Sequence, residues 1–534
     1  MHFPQSVATL LRDHVRLELE GIDRMYLNVY VPKLQTDFGV VRFFKGHRGA
    51  FFASSALMDQ ITKPFIAAIE SFAKRSSVPL LSFAKGERKD DIAKEYLARF
   101  EGVEGVLFIG KAQEKARVFR TEKRAHPETG RTYPWIVRST GMVNQYYFYC
   151  VDDDFGPFFL KYCSYFPYTA KLCINGHEYL KRQLDKEGIA YEALDNGILS
   201  CENPERMQEI ANDLSAEKVS DLLHKWQQRL PYPFSPEDEA AGYRYNVSIL
   251  QAEFSLTQVL DRPLTGRLFF EQVIRENLDI GRPEQVQLVF ARRVTRRTPG
   301  RFRTRILTEG VTPTLHADYK KTRIKQYHKE GRALRTETTI NDTRDFGINR
   351  GILNLPALRQ VGFAANRRLL DVQKLSHDCT LGEEAFERLQ HPCMKETQRT
   401  SALRFADATV QALLHGVLLF RHLPNGFSNR DLREPFAQLL GPDTTIAQGR
   451  MTYNLRRLKL HGLIRRIPGR HRYQVTEFGL RVALFYTRLQ VRLIRPGLTT
   501  ILANQRLEPC AIPDGFDALR NAVDRCCRTA QFAA

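Results

Sequence analysis

The last part of the chain, residues 405–497, has the sequence pattern that most restricts the fold. Three stretches with helical patterns follow one another there: DATVQALLHGVLLF, FSNRDLREPFAQLLG and AQGRMTYNLRRLKLHGLI. In the third, Met451, Leu455 and Leu458 recur at the spacing of one helical face. An arginine-rich hairpin pattern, RRIPGRHRYQV, comes next, and Thr476 then caps a closing helix. The predicted order is helix, helix, helix, two-stranded hairpin, helix.

Charge along this segment is one-sided. From Ile446 to Val475 the chain has eight Lys and Arg residues and no Asp or Glu. A solvated hairpin tolerates such a run, whereas a hairpin that lies against a polyanion needs it. The element order and these residues resemble the winged helix-turn-helix family. This resemblance implies that the third helix reads the major groove of duplex DNA and that the hairpin, called the wing, contacts phosphates.

The resemblance assigns residues to both parts of this DNA-binding surface. A winged helix that contacts another protein is the alternative for the same pattern, and the uninterrupted positive charge argues against it. On the third helix, the implied reading residues lie opposite the apolar face and are Arg450, Tyr453, Asn454, Arg457 and His461. On the wing, the implied phosphate contacts are Arg465, Arg466, Arg470, His471 and Arg472.

The whole chain is basic as well. Its 534 residues contain 80 Lys and Arg against 60 Asp and Glu, a formal net charge of +20. This excess favours nucleic acid as a partner over a membrane surface. No apolar run approaches the ~20 residues of a membrane span, and charged residues interrupt the N-terminal stretch where a signal peptide needs an apolar core. The nine cysteines form no CxxC pair. We therefore expect a cytoplasmic DNA-binding protein.

Composition shifts along the chain predict an α+β multidomain protein. Outside the winged-helix segment, the chain resembles a family of uncharacterised bacterial proteins, for which an association with mobile elements is a further hypothesis. That resemblance implies no chemistry. The predicted segments are a mixed α/β domain (1–202), a helical section (203–284), a basic antiparallel β-rich domain (285–379), a polar linker (380–404), the winged helix (405–497) and a tail (498–534).

The predicted strands after residue 285 are rich in arginine. A basic sheet with interleaved aromatic residues suits the backbone of DNA or RNA, and a solvated sheet face is the simpler alternative. A tight turn at Glu330 and Gly331 would further place His328, Gln326, Arg335 and Glu337 on one face, unless the register slips by one residue. The candidate backbone-contacting residues are Arg292, Arg293, Arg296, Arg297, Arg301, Arg303, Arg305, Arg323, Lys325 and Tyr327.

Three aspartates follow the aromatic strand pattern QYYFYCV. Metal-dependent nucleases and transposases hold Mg²⁺ with two or three carboxylates, often at strand ends. The candidate catalytic set is therefore Asp152, Asp153 and Asp154 with Glu253 or Glu337, and Asp153 is the candidate metal ligand. No spacing links these residues, and an acidic turn after a strand is the commoner explanation.

Three functions compete on the sequence. The first is a DNA-binding protein without catalysis, the second a Mg²⁺-dependent nuclease or transposase-like enzyme of a mobile element, and the third an RNA-binding scaffold. About 400 residues ahead of the winged helix favour the second over a simple regulator. The absence of a recognisable catalytic signature counts against it. The sequence thus favours a protein that reads duplex DNA through its C-terminal winged helix, and it leaves the oligomeric state open.

Overall fold

The computed structural model describes most of the chain. The sheet unit comprises Val15–Gly266 and Val289–Asn366, and the C-terminal unit comprises Met1–His14, Arg267–Leu288 and Arg367–Ala534. The described residues are 7–84, 86–125, 127–262, 265–266, 268–270, 288–290, 311–319, 321–329, 332–377, 381–395, 397–419, 426–441, 444–494, 518, 521 and 525.

Helices and strands both occur, so the chain is α+β overall. The helices are α1 (Val7–His14), α2 (Asp37–Arg42), α3 (Ser55–Arg75), α4 (Lys89–Ala98), α5 (Gly176–Glu187), α6 (Pro204–Asp213), α7 (Ala216–Arg229), α8 (Pro236–Ala240), α9 (Leu355–His377), α10 (Glu383–Gln390), α11 (Ala408–Leu419), α12 (Asn429–Leu440), α13 (Gln448–Leu460) and α14 (Glu477–Leu489). Shorter 3₁₀ or π turns are Pro32–Leu34, Phe43–His47, Thr343–Phe346, Ile352–Asn354 and Gln490–Ile494.

The strands follow the same chain order. They are β1 (Val15–Tyr30), β2 (Leu80–Ser82), β3 (Gly105–Ala125), β4 (Thr132–Asp152), β5 (Gly156–Cys163), β6 (Ala170–Asn175), β7 (Tyr191–Leu194), β8 (Gly197–Cys201), β9 (Asn246–Leu260), β10 (Leu288–Phe290), β11 (Val311–Tyr319), β12 (Thr322–Lys329), β13 (Ala333–Ile340), β14 (Cys393–Lys395), β15 (Gln398–Thr400), β16 (Ile464–Arg466) and β17 (Tyr473–Val475).

One mixed sheet dominates the sheet unit. Within the described residues it has eleven strands in the order β10-β11-β12-β13-β9-β1-β6-β5-β4-β3-β2. Strand β2 is parallel to β3, and the pairs from β11 to β3 are antiparallel. The predicted division into domains at 1–202, 203–284 and 285–379 is wrong, because β9 pairs with both β1 and β13 and joins the early and late strands in one sheet. Composition shifts cannot show such long-range pairing.

Alternation along the strands gives the sheet two different faces. Leu27, Phe148 and Leu172 belong to one buried apolar cluster that also contains Phe65 and Ile69 of α3. Side chains at the intervening positions, such as Tyr26 and Lys171, are only half-buried. In the region of β1, β5 and β6, the sheet therefore has one buried apolar face, and its other face is polar and aromatic.

The C-terminal unit has its elements in the order α11, α12, α13, the β16–β17 hairpin and α14. The predicted linker 380–404 is wrong, because it contains α10 and the β14–β15 hairpin and buries Leu389 and Leu403. The predicted tail 498–534 lies outside the described residues, apart from 518, 521 and 525. Among the helices that the structure describes, none is long and apolar enough to cross a membrane.

Candidate nucleic-acid interface

Helix α13 lies next to α12 in the C-terminal unit, and both have clear sequence reasons to form. Ser428 and Asp431 form a capping box at the start of α12, in which each side chain accepts a hydrogen bond from the other residue's backbone N–H. Met451 and Leu458 are buried on the inner face of α13. The amide of Asn429 donates to the hydroxyl of Thr452 at 2.9 Å, which joins the first turns of the two helices.

A second face of α13 is buried too, and this corrects the predicted reading face. Asn454, Arg457 and His461 are only 2%, 6% and 7% exposed. Arg457 donates a hydrogen bond to the carbonyl oxygen of Ala402, and Nε2 of His461 donates to that of Ser401 at 2.9 Å. Burial lowers the pKa of His461, so its ring is neutral near pH 7. Arg457 and His461 therefore hold the 401–402 segment, and the three buried side chains cannot enter a groove.

Tyr453 lies at the border of this buried face. Its side chain is 48% exposed, but its hydroxyl is 2.8 Å from the hydroxyl of Ser401. The β14–β15 hairpin precedes that segment, and the Cys393 thiol donates to the carbonyl oxygen of Leu460 at the end of α13. The residues of the predicted linker thus cover the flank of α13 that the sequence assigned to DNA.

The exposed face of α13 is formed by a different polar stripe. Arg450, Thr452, Arg456 and Lys459 are exposed, and only Arg450 among them was a predicted reading residue. Arg456 and Lys459 follow Thr452 at positions i+4 and i+7, which places them on one side of the helix. Both stripes of α13 satisfy helical periodicity in the sequence. Only the position of residues 401–402 shows which of them is open.

The wing exposes four of its five predicted contact residues. Gly469 takes a left-handed conformation (φ 67°) in the turn between β16 and β17. Arg465 donates to the Gln474 amide oxygen, and Arg466 lies 3.0 Å from Nδ1 of His471, so cross-strand bonds hold these side chains over the hairpin. Arg465, Arg466, Arg470 and His471 are all exposed, which places three arginines and a histidine at the wing surface.

Arg472 has a structural role instead, which corrects its assignment to the phosphate-contacting set. It is half-buried and donates to the carbonyl oxygen of Gly426 at 2.6 Å. It also lies 3.4 Å from the Asp431 carboxylate in the capping box of α12. Backbone bonds between Phe427 and Tyr473 reinforce the same junction. Arg472 therefore fixes the wing to the start of α12.

In the basic β region, the candidate residues that the structure describes are those of β12. Arg323 is exposed there, Lys325 lies over the Tyr327 ring at 4.0 Å, and the Tyr327 hydroxyl donates to Glu337 at 2.7 Å. The prediction that Gln326 and His328 share a face with Arg335 is wrong. Tyr327 pairs with Arg335 and lies on its face of the sheet. Gln326 and His328 alternate with Tyr327 along β12, so their side chains lie on the opposite face. The remaining candidates lie outside the described residues and are Arg292, Arg293, Arg296, Arg297, Arg301, Arg303 and Arg305.

The three aspartates at the end of β4, which were predicted to be catalytic and to bind a metal, form a turn in which each carboxylate has protein partners. Asp152 is 1% exposed; it accepts from the backbone N–H groups of Asp154 and Phe155 and from Lys225 and the indole of Trp226. The carboxylates of Asp153 and Asp154 both bind the ammonium group of Lys186 at 2.7 Å. Their charges are thus satisfied by lysines rather than left open for a cation.

Glu253 and Glu337 lie too far away to complete that metal site. Four strand spacings separate β9 from β4 and five separate β13 from it, or about 19 and 24 Å laterally at ~4.8 Å per strand. Carboxylates that share one Mg²⁺ lie within a few Å of each other. Among the residues that the structure describes, no cluster of three His, Cys, Asp or Glu could hold a metal ion. The predicted Mg²⁺ ligands are therefore not brought together.

Glu337 instead belongs to a buried ionic network around Arg335. The Arg335 side chain has no exposed surface and binds Asp23 at 2.7 Å and Glu337 at 2.8 Å. It also donates to the carbonyl oxygen of Asn196 and lies 3.0 Å from Nε2 of His177. Burial on its own would raise the pKa of Asp23. The charge and the hydrogen bond of Arg335 act in the other direction, and the pKa of Asp23 is lowered to about 2. Burial and Arg335 lower the pKa of His177 to about 3.

This network holds elements together and has no open access. Ser255 lies 3.1 Å from Nε2 of His177, a pairing that resembles a nucleophile with its base, yet both side chains are buried. Arg335 connects β13 with the β7–β8 turn, and His177 with the start of α5. Of this cluster, the sequence shows only that Arg335 and Glu337 are near each other in the chain.

Comparison of the chain with known protein families, with curated proteins and with solved structures gives no significant match.

Proposed function

We propose that residues 408–489 form a winged helix-turn-helix and that the protein binds duplex DNA through it. The observation that carries the proposal is the exposed cationic surface of α13 and the wing. Between Ile446 and Val475 no acidic residue interrupts it. Its exposed cations are Arg450, Arg456, Lys459, Arg465, Arg466 and Arg470.

In this proposal α13 and the wing contact different parts of the DNA. A helix enters the major groove and reads base edges there, while the flanking cations bind phosphates and set its orientation. Arg456 and Lys459 lie on the open side of α13 and would face the groove. Arg466 and Arg470 lie in the wing and would contact the sugar-phosphate backbone. The burial of Arg457 also fits, because the helix needs a rigid support on its other side.

Fluorescence anisotropy of the full chain with a short labelled duplex tests this function. We expect binding that weakens with salt by about 0.9 log units per phosphate contact for each tenfold rise in concentration. Arg470→Ala should lower the affinity for all sequences alike, because it removes a phosphate contact. Undetectable or salt-independent binding of duplex DNA would refute the proposal.

A further inference from the structure

A second basic surface lies in the sheet unit, far in sequence from the wing. Residues 114–119 and 138–140 of the β3–β4 hairpin line a cleft together with Asn28, Lys161 and Lys171 of β1, β5 and β6. The cleft has a volume of about 1030 Å³. This volume is at the upper end of the range for sites that take small molecules.

The lining of this cleft is strongly cationic. Its described lining residues include one carboxylate, Glu114, against six cations. Glu114 is already bound by Lys161, by the Tyr147 hydroxyl and by Lys89 at 2.9 Å. It therefore neutralises little of the remaining charge. The six cations are Lys115, Arg117, Arg138, Lys161, Lys171 and Arg350.

Among the described residues, four of these six cations have no carboxylate partner. Arg350 is paired with Asp342 at 3.2 Å, and Arg138 donates only to the backbone carbonyl oxygen of Gln35. Within the described part of the chain, the side chains of Lys115, Arg117 and Lys171 form neither an ion pair nor a hydrogen bond. A folded protein that leaves several cations uncompensated in one concave site has a strong positive potential there.

Lys171 shows this most clearly. It stands directly opposite Lys161 on the neighbouring strand, and like charges in that position repel. Its ammonium group lies 5.1 Å from the centre of the Tyr26 ring, a cation–π contact. Burial, and after it the charge of Lys161, lowers the pKa of Lys171. An anion bound between the two strands would relieve this repulsion.

The strand segment that lines the cleft is long, and exposed aromatic residues lie further along the same hairpin. Residues 114–119 alone extend about 17 Å at the rise of a β-strand, which is much longer than one phosphate group. Further along the same hairpin, Tyr133 and Trp135 are 38% and 39% exposed, and the Arg124 guanidinium lies 4.7 Å from the Trp135 ring. Exposed aromatic rings beside a cationic groove are suited to stack bases of a single strand.

We propose that this cleft and the outer part of the β3–β4 hairpin bind the backbone of a single nucleic-acid strand. The cations contact successive phosphates, and Trp135 stacks on a base. Stacking on Trp135 needs an unpaired base, which distinguishes this site from the proposed winged helix. The proposal stands independently of that function.

Anisotropy of the full chain with a labelled oligothymidylate, and with oligouridylate to compare DNA and RNA, tests the cleft. Arg117→Ala with Lys171→Ala should lower the affinity roughly tenfold and reduce the salt slope by about 1.4, because a single strand contributes about 0.7 per contact. Lys94→Ala with Arg99→Ala is the matched control, since it removes two exposed charges, one in α4 and one at its C-cap, outside the cleft. Arg456→Ala with Lys459→Ala should leave strand binding intact.

Tryptophan fluorescence tests the path along the hairpin. The chain has two tryptophans, and Trp226 is only 2% exposed, so quenching by a bound strand should come from Trp135 and vanish in Trp135→Phe. Equal affinities of the cleft variant and its control would overturn the proposal. Displacement of the strand by inorganic phosphate at constant ionic strength would do so too, because it would indicate a small-anion site. If the fluorescence of Trp135 is not quenched in the complex, Trp135 does not stack on a base.

Discussion

Arg456 and Arg457 are neighbours in the sequence, but one points to solvent and the other into the protein. Arg456 is exposed, whereas Arg457 is 6% exposed and donates to the carbonyl oxygen of Ala402. Successive helical residues differ in direction by about 100°, so one of them is free to meet a ligand while the other supports the helix. This relationship decides which substitutions should change binding and which should change stability.

Arg457→Ala should lower the local stability of α13. The change removes a buried hydrogen bond and the contact with the Tyr453 ring, 5.9 Å from the guanidinium, which together are worth about 1–3 kcal/mol. Arg456→Ala is the control and should stay within about 0.5 kcal/mol. Hydrogen exchange of the amides of residues 448–460 measures both. Equal protection in the two variants would mean that the Ala402 contact contributes nothing.

Arg335→Ala should destabilise the sheet unit strongly. It leaves Asp23 and Glu337 buried without their cation, and breaking a buried ion pair from one side costs about 3–5 kcal/mol. Arg332→Ala is the matched control, because that arginine is 57% exposed and lies 3.9 Å from Glu192. Thermal unfolding followed by circular dichroism compares them. A similar midpoint for both variants would show that the buried network is not a stabilising connection.

Stability should fall as the pH drops below about 6.5. The pKa of His177 is about 3 in the folded protein against an ordinary 6.5, so between these values the unfolded chain binds a proton that the folded protein does not. The slope from this residue is at most about 1.4 kcal/mol per pH unit. Below pH 3.8 Asp23, with its lowered pKa, adds a loss in the same direction.

His177→Gln isolates this contribution. The variant keeps a polar side chain of similar length but has no titrating ring, so its free energy of unfolding should depend less on pH between 6.5 and 4 than that of the wild type. Urea unfolding at several pH values measures the difference. If the free energies of unfolding of the two proteins depend on pH in the same way, the titration of His177 does not contribute to stability.

Local features of the C-terminal unit could be predicted from the sequence. Ser428 with Asp431, and Thr476, mark helix starts by their side chains, and Met451 with Leu458 marks a buried face. These signals depend on residues within one or two turns of each other. They therefore need no knowledge of the rest of the fold.

The misassigned residues depend on contacts between distant segments. The sequence around Arg457 does not show that residues 401–402 cover it, because two polar stripes on α13 satisfy the same period. Asp152 likewise looks like a ligand until Lys225 and Trp226, more than 70 residues later, occupy its oxygens. The cationic cleft was missed for the same reason, since Arg117 lies more than 40 residues before Lys161 and Lys171 in the chain.

The open face of α13 can be tested most directly by the affinity of the full chain for duplex DNA. Arg456→Ala with Lys459→Ala should weaken binding and lower the salt slope by about 1.8, because each lost phosphate contact contributes about 0.9. If one of the two residues reads a base edge, the free energy of binding should weaken by about 1–3 kcal/mol, and the loss should depend on the DNA sequence. Lys94→Ala with Arg99→Ala should leave affinity and slope unchanged. Affinities and slopes that are equal in the two double variants would contradict the account.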